Sequence, residues 1–232
     1  MITVRKAAER GVSNFGWLDS RHTFSFGEYH DPRQMGFRVL RVINDDRIAG
    51  GQGFGTHPHR DMEIITYVVE GAVEHRDSMG NGSVIRAGDV QVMSAGTGIT
   101  HSEFNPDPKL ELRLLQIWIL PKRQGLTPSY DQKNFSADQK KNRLCPLVSR
   151  DGRDGSLGIH QDVALYGCVL DAGTEAQHAP VTGRHAWIQI VTGEIEVNGI
   201  RLGPGDGASV SDEKFLKMSG ISASEFLLFD LA

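Results

Sequence analysis

Four residues in two short segments have the types and spacing of a metal-binding site. His57 and His59 are separated by one residue, and so are His101 and Glu103. In a β-strand, side chains at positions i and i+2 point to the same face. If the two segments lie on facing strands, three imidazoles and one carboxylate converge on one point. This ligand set suits a first-row transition metal and leaves coordination positions for water, a substrate or O₂.

The segments that must position these residues are predicted to be β-strands. Short β-branched or alternating runs are separated by glycine-rich turns over most of the chain, and helical periodicity is absent. Short strands at this spacing are typical of a sandwich or barrel. We expect one strand to begin at Phe37 and to end at the turn Asn44-Asp45-Asp46. In the preceding aromatic segment we expect Phe26 to be a core residue and His22 a polar surface or loop residue.

An internal repeat predicts two copies of one β domain. Residues 67–74 (YVVEGAVE) resemble residues 189–196 (QIVTGEIE), and a Gly-Asp pair follows each copy at a similar distance. Such widely spaced copies are not a solenoid repeat. Where the first copy has His57 and His101, the second has Ala179, next to His178, and Met218. We therefore predict a single metal site, in the first half of the chain.

The domain boundaries follow from a change in composition. From Pro121 to about residue 150 the chain is polar and has little periodicity, so we interpret it as a connection with one short helix near 136–142. The prediction is an N-terminal metal-binding domain at residues 1–125. A C-terminal degenerate domain without metal follows at residues 126–232.

Composition excludes several classes of function. The chain has 232 residues and a formal net charge of −4, with no basic stripe, so direct nucleic-acid binding has no electrostatic support. No apolar run is long enough to span a membrane, and the start lacks a signal-peptide core. Cys145 and Cys168 are too few for a disulfide framework and are expected to be reduced thiols. We therefore expect a cytoplasmic protein that does not bind membranes.

Two motifs resemble those of the cupin superfamily. Gly51, His57, His59 and Glu63 fit its first motif, although the closing glycine, Gly71, comes one residue late. The second motif, at residues 96–101 (GTGITH), lacks the usual proline. These departures, together with residues 53–64 (GFGTHPHRDMEI) and 94–103 (SAGTGITHSE), resemble the pirin family and its bacterial quercetin 2,3-dioxygenases. The resemblance is specific over about residues 10–120 and weaker, though collinear, beyond.

The resemblance implies an all-β fold of two tandem cupin (jelly-roll) barrels in a bicupin arrangement. It also implies one divalent metal ion in the N-terminal barrel, with the ligands His57, His59, His101 and Glu103. Iron is the first candidate, and nickel, copper, manganese and zinc are alternatives. Typical cupins would use Glu63 instead of Glu103, and Glu63 shares strand parity with His59. We expect Glu103 to be the ligand and Glu63 to hold the second nitrogen of a ligand histidine.

The activity implied by the resemblance is a metal-dependent dioxygenase reaction. The substrate would be a quercetin-like flavonol, whose ring is cleaved with O₂, and Glu103 would take the proton of its 3-hydroxyl group. An alternative is a metal-containing regulatory or redox-sensing protein that binds a protein partner. A third is another cupin reaction on an enolisable small molecule. A wide apolar pocket mouth near Phe54 and Met93 would favour the flat aromatic substrate. A closed site with exposed apolar patches elsewhere would favour the regulator. We expect a monomer.

Overall fold

The structure, a computed structural model, describes the whole chain from Met1 to Ala232 and is built almost entirely of β-strands. In chain order the strands are β1 (Ile2–Arg5), β2 (Gly11–Asn14), β3 (Leu18–His22), β4 (Leu40–Ile48), β5 (Gly53–His59), β6 (Glu63–Glu70), β7 (Ala72–Asp77), β8 (Gly82–Arg86), β9 (Asp89–Ser94), β10 (Ile99–Phe104), β11 (Leu112–Ile119), β12 (Ser129–Asn134), β13 (Cys145–Ser149), β14 (Leu157–Gly158), β15 (Val163–Leu170), β16 (Glu175–His178), β17 (His185–Thr192), β18 (Ile195–Val197), β19 (Ile200–Leu202), β20 (Gly207–Val210), β21 (Leu216–Gly220) and β22 (Ser224–Leu231). The one α-helix, α1 (Ala137–Lys140), is a single turn, and two 3₁₀ turns lie at Ala7–Glu9 and Arg153–Gly155.

The chain forms two compact units, which confirms the predicted all-β, two-barrel fold. The first barrel comprises Gly11–Asn134 and Ile159–Gln161, and the second comprises Met1–Arg10, Phe135–Gly158 and Asp162–Ala232. None of the helical segments has the length and apolar character needed to cross a membrane.

Each barrel pairs a seven-stranded sheet with a four-stranded sheet. In the first barrel the strand orders are β12-β9-β6-β11-β4-β3-β2 and β5-β10-β7-β8. In the second they are β1-β20-β17-β22-β15-β13-β14 and β16-β21-β18-β19. The four-stranded sheets have the same order of corresponding strands, so the sequence repeat reflects a repeated fold.

Apolar side chains from alternate strand positions fill the second barrel. Its core is a single large cluster of buried aliphatic and aromatic residues from strands β15 to β22. The first barrel has smaller apolar clusters, one around Ile48, Val68 and Leu114 and another around Ile64 and Met93. Between them the interior also holds buried polar side chains, including Thr66, Gln116 and Glu103.

The repeated glycines have a steric reason. Gly71 and Gly193 follow corresponding strands, and both have positive φ angles, 77° and 68°. A Cβ atom at Gly193 would lie 2.1 Å from the carbonyl oxygen of Ala223, and one at Gly71 would lie 3.1 Å from that of Glu111. A side chain at either corner would therefore be strained, and at Gly193 it would also clash with backbone.

The structure corrects the predicted boundaries in two places. Strand β12 lies beyond residue 125 but pairs with β9, so it belongs to the first barrel. Strand β1 pairs with β20, so Met1–Arg10 belong to the second barrel. The short helix in the predicted connection is confirmed, but the connection itself is not irregular, because it carries β12 and β13.

A further correction concerns the expected turn at residues 44–46. Strand β4 does not end there but continues to Ile48. Asp45 is neutralised by an ion pair with Arg113 of β11, at 2.9 Å, and Asp46 accepts a hydrogen bond from Ser20 of β3. Pairing with strands on both sides therefore overrides the turn preference of the Asn-Asp-Asp sequence.

Candidate metal centre

Strand pairing brings the three predicted histidines together. Strand β5 runs antiparallel to β10, and His57 lies directly opposite His101. The ring centroids are 4.5 Å apart for His57 and His101, 4.8 Å for His59 and His101, and 4.9 Å for His57 and His59. One ring nitrogen from each of the three lies within 4.8 Å of the others. This spacing allows the three nitrogens to face one ion.

Hydrogen bonds at the Nδ1 atoms leave the Nε2 atoms available. Nδ1 of His57 lies 2.8 Å from the carbonyl oxygen of Gly55 and therefore carries the proton. Nδ1 of His101 lies 3.4 Å from Nδ1 of His75, and Nε2 of His75 lies 3.2 Å from the carboxylate of Asp77. In the tautomer in which Nε2–H of His75 donates a hydrogen bond to Asp77, Nδ1 of His75 accepts one from Nδ1–H of His101. His57 and His101 thus both present an Nε2 lone pair.

His75 and Asp77 lie next to His101 and are not among the residues predicted from the sequence. Both side chains are fully buried on β7, which lies on the other side of β10 from β5. Burial raises the pKa of Asp77, but hydrogen bonds from Asn81, His75 and backbone amides together lower it by more. The net pKa therefore lies below the ordinary value. The ionised Asp77 can therefore fix the orientation of His75, which in turn orients His101. Their i, i+2 spacing was the available signal.

The imidazoles fit a metal ion on two observations. Nε2 of His101 is buried and has no hydrogen-bond partner, although buried polar atoms are nearly always paired. Burial and the neighbouring His57 lower the pKa of His59 to about 4. Burial and the surrounding histidines lower that of His101 to about 3. Both rings are therefore neutral at pH 7, the form in which imidazole binds a metal.

Glu103 lies beside this cluster but has other partners. A carboxylate oxygen of Glu103 lies within 4.8 Å of a ring nitrogen of His75 and of His101. It does not form such a group with all three predicted histidines. Its carboxylate accepts hydrogen bonds from Nε2 of Gln116, at 3.1 and 3.3 Å, and from the hydroxyl of Thr66, at 3.5 Å. Burial raises the pKa of Glu103 above its ordinary value. Glu103 is thus a buried carboxylate at the edge of the histidine cluster.

The hypothesis that Glu63 holds a ligand histidine is wrong. Glu63 is buried, but one of its oxygens accepts a hydrogen bond from the hydroxyl of Ser94 at 2.7 Å. The other accepts one from the backbone N–H of His160 at 3.2 Å. Glu63 therefore fastens the segment Ile159–Gln161 to β6, and the supporting role predicted for it belongs to His75.

A cavity of about 360 Å³ opens onto the histidine cluster. It is lined by Ser13, Phe15, Leu18, Ser20, His22, Phe26, Gly27, Glu28, Asn44, Asp46, Phe54, His57, His59, Glu103, Gln116 and Trp118. Trp118 meets the ring of His59 edge to face at 5.0 Å, and Phe26 meets Trp118 in the same way at 5.3 Å. The cavity thus combines aromatic walls with the imidazoles, as small-molecule sites commonly do.

The cavity lining tests several expectations. Phe54 lines it, as predicted, whereas Met93 is buried in an apolar cluster elsewhere. Phe26 is a cavity residue instead of a core residue. His22 is a buried strand residue that faces the cavity, because β3 pairs with the long β4 and carries it inward. The prediction for these two residues was wrong because their segment looked like an irregular aromatic loop.

One side of the same cavity is polar. Asp46 is 4% exposed, and one of its oxygens accepts a hydrogen bond from the hydroxyl of Ser20. Burial raises its pKa to about 7, with smaller contributions from the charges of Asp45 and Glu103. Nearby, Nδ1 of His22 lies 2.8 Å from the side-chain oxygen of Asn44.

A cluster of imidazoles in the first of two β-barrels defines a two-domain cupin. The pirin family model matches residues 3–119, and a model described as the quercetinase C-terminal cupin domain matches residues 146–231. The chain belongs to the pirin family.

Relatives match along the full chain. A quercetin 2,3-dioxygenase of Escherichia coli is 54% identical over all of this chain and 99% of its own. A pirin-like protein of Caulobacter vibrioides is 42% identical over the full length of both chains. The crystal structure of Escherichia coli YhhW superposes with a TM-score of 0.97 at 53% identity, covering 100% of this chain and 98% of that one.

A solved structure also bears on the metal. Bacterial pirin YhhW from Escherichia coli in complex with nickel(II) has a TM-score of 0.95 and 52% identity, covering 100% of this chain and 99% of that one. That structure and the histidine cluster together point to a metal ion in the first barrel.

Proposed function

We propose that this protein is a metal-dependent dioxygenase that cleaves the ring of quercetin-like flavonols with O₂. His57, His59, His101 and Glu103 would hold one divalent transition metal ion. The nickel(II) complex of a relative supports a metal ion in a protein of this fold, and the histidine cluster supports these residues as its ligands. Among metals suited to imidazole and carboxylate ligands, iron is our first candidate, with nickel, copper, manganese and zinc as alternatives.

The observation that carries the proposal is the cavity beside the histidines. Its volume of about 360 Å³ lies within the usual range for small-molecule sites, about 300–1,000 Å³. Phe15, Phe26, Phe54 and Trp118 line it and offer faces and edges for a flat aromatic ligand. The names of the full-length relatives support the same substrate class.

Each side chain of the site has a separate role in the proposed reaction. His57 and His101 present Nε2 lone pairs because Gly55 and His75 occupy their Nδ1 atoms. A metal ion held by these residues would supply Lewis-acid polarisation of the substrate's oxygens and, if redox-active, electron exchange with O₂. Glu103 lines the cavity, and we assign it the proton of the substrate's 3-hydroxyl group. Gln116 orients the Glu103 carboxylate.

The alternative predicted from the sequence was a metal-containing regulatory or redox-sensing protein with a protein partner. A closed site would favour it. His57 and His59 are instead partly exposed and line a cavity with aromatic walls, which favours a small-molecule ligand. We therefore place the enzyme first, and we propose that it works as a monomer.

The test is oxygen uptake with quercetin. Protein purified without a metal-binding tag is assayed metal-free and after loading with Fe(II), Ni(II), Cu(II), Mn(II) or Zn(II) in turn. We expect oxygen consumption and loss of flavonol absorbance only with a competent metal, and their abolition in His59→Ala. In Glu103→Gln we expect turnover to fall by about 10²–10⁴-fold.

A matched control comes from the second barrel. His178 lies on β16, the strand corresponding to β5, so His178→Ala removes an imidazole of that barrel and is expected to retain turnover. Full turnover in His59→Ala, or no oxygen uptake with any of the five metals, would contradict the proposal. Full turnover in metal-loaded Glu103→Gln would refute the base role alone.

A further inference from the structure

Asp46 is a buried carboxylate that the proposed reaction does not use. Its neighbour Asp45, on the opposite face of β4, has a bidentate ion pair with Arg113, with distances of 2.9 and 3.0 Å. Asp46 has no cation within ion-pair distance, and its only hydrogen-bond donor in the protein is the hydroxyl of Ser20. Its second oxygen therefore has no donor, although the residue lines the cavity.

Burying the Asp46 carboxylate without a cation costs free energy of folding. A carboxylate removed from water without a cation or several donors is unfavourable, and proteins retain one mainly where it has a function. The pKa of Asp46 is raised because burial disfavours the charged form of the carboxyl group. An asparagine or an apolar residue would remove the cost, so the carboxylate is best explained by a donor that arrives with a ligand.

The surroundings of Asp46 suit a hydroxyl group. Nε2 of His22 lies 2.9 Å from the hydroxyl of Ser13, and Nδ1 of the same ring lies 2.8 Å from Asn44. These contacts fix the polar side of the cavity, and none of them is an ion pair with Asp46. A neutral donor such as a phenol can therefore hydrogen-bond to Asp46 without competing with an existing ion pair.

We propose that Asp46 accepts a hydrogen bond from a phenolic hydroxyl of the ligand, other than its metal-facing enol, and so selects polyhydroxylated aromatic molecules. This inference rests on the proposed function for its substrate class. The donor on the protein side, Ser20, holds the carboxylate in place and is a positioning residue.

The test compares two ligands in metal-loaded protein. Quercetin has the enol and additional phenolic hydroxyls, whereas 3-hydroxyflavone has the enol alone. Binding of each is measured without oxygen by absorbance titration, and kcat/KM is then measured with oxygen. In Asp46→Asn we expect affinity and kcat/KM for quercetin to fall by about 10- to 100-fold, as on loss of a hydrogen bond to a charged group. Those for 3-hydroxyflavone should stay within about threefold.

Two further variants keep the test decisive. Ser20→Ala leaves the carboxylate but frees it to move, so a smaller loss in the same direction is expected. Glu111→Gln removes an exposed carboxylate that pairs with Arg47, the residue next to Asp46, and should change neither ligand's binding. Metal content and circular dichroism confirm that each variant is folded and loaded.

The outcomes separate this inference from the proposed function. Equal loss for both ligands, or no loss for quercetin, would overturn the role of Asp46. If the wild type binds quercetin more tightly than Asp46→Asn does but consumes no oxygen, the dioxygenase proposal fails and the recognition role stands. If the wild type binds neither compound, the recognition role is overturned as well.

Discussion

The two barrels place different residues at corresponding positions of their four-stranded sheets. In the first barrel the central strand β10 puts His101 between His57 of β5 and Asp77 of β7. In the second barrel the central strand β21 puts Met218 between two apolar residues, one of which is Ala176 of β16. The same scaffold thus encloses an imidazole cluster in one barrel and a continuous apolar core in the other.

The second barrel does contain a partly buried histidine, His178, but one of its ring nitrogens already has a partner. Nε2 of His178 lies 2.9 Å from the carboxylate of Asp230, which also pairs with Arg184. In the first barrel, by contrast, Nε2 of His101 has no partner. We therefore expect a barrel histidine of this protein to bind a metal ion only where a neighbour occupies its other nitrogen and the remaining lone pair is free, as in His101.

Placing a histidine at the corresponding core position should not be enough to create a site. Met218 is fully buried, and its neighbours offer no hydrogen-bond partner, so Met218→His is expected to lower the free energy of unfolding by about 2–4 kcal/mol. It should bind no additional metal. Urea denaturation and metal analysis measure both effects. Met218→Leu, which preserves an apolar side chain, should cost less than about 1.5 kcal/mol. A stable, metal-binding Met218→His would show that neighbours matter less than we infer.

Substituting the residues that orient His101 tests whether metal binding in the first barrel depends on them. In Asp77→Asn the orientation of His75 is weakened, and with it the hydrogen bond that fixes His101. We expect metal affinity, measured by competition with a chelator, to fall by about 10- to 100-fold. His75→Phe should act in the same direction, whereas Glu74→Gln, at an outward-facing position of the same strand, should not. Unchanged affinity in both His75 and Asp77 variants would contradict the supporting role.

The two buried aspartates should respond oppositely to pH in the metal-free protein. The pKa of Asp46 is raised to about 7, so its carboxylate destabilises the fold as pH rises from about 4 towards 8. The pKa of Asp230 is lowered: burial opposes this, but His178 and Arg184 outweigh it. Its stabilisation is therefore present above the ordinary pKa and is lost as pH falls.

At pH 8, Asp46→Asn should therefore be more stable than the wild type by about 1–2 kcal/mol, and Asp230→Asn less stable by a similar amount. The Asp46→Asn difference should shrink towards pH 4, whereas the Asp230→Asn difference should persist at pH 4 and shrink only below the ordinary pKa of aspartate. Thermal or urea unfolding at the two pH values measures them. Destabilisation by Asp46→Asn at pH 8 would show that Ser20 compensates the charge more fully than the structure suggests.

Side-chain parity along strands made the histidine cluster predictable. His57, His59 and His101 could be assigned to one point because a strand alternates its faces and because glycines mark the turns. The supporting residues could not be found in this way, because parity does not give the register between strands. His75 faces Glu103 only because β7 pairs with β10 in one particular register, and Glu63 has the right parity but binds Ser94.

The misassigned boundaries have a similar cause. Strand β1 joins the second barrel through pairing with β20, a contact between distant parts of the chain that no local pattern records. Asp46 was placed in a turn because its sequence favours one. Its place in a strand depends on Ser20 of a neighbouring strand and on the ion pair of Asp45. The boundaries and the place of Asp46 thus depend on contacts between distant parts of the chain, which local sequence patterns do not predict.

We propose that the first barrel alone holds one metal ion through its histidine cluster. The most direct measurement is elemental analysis of metal bound to the wild type, His101→Ala and His178→Ala, each loaded and then desalted. We predict about one ion per chain in the wild type and in His178→Ala, and close to none in His101→Ala. Two ions per chain in the wild type, or full occupancy in His101→Ala, would contradict the claim.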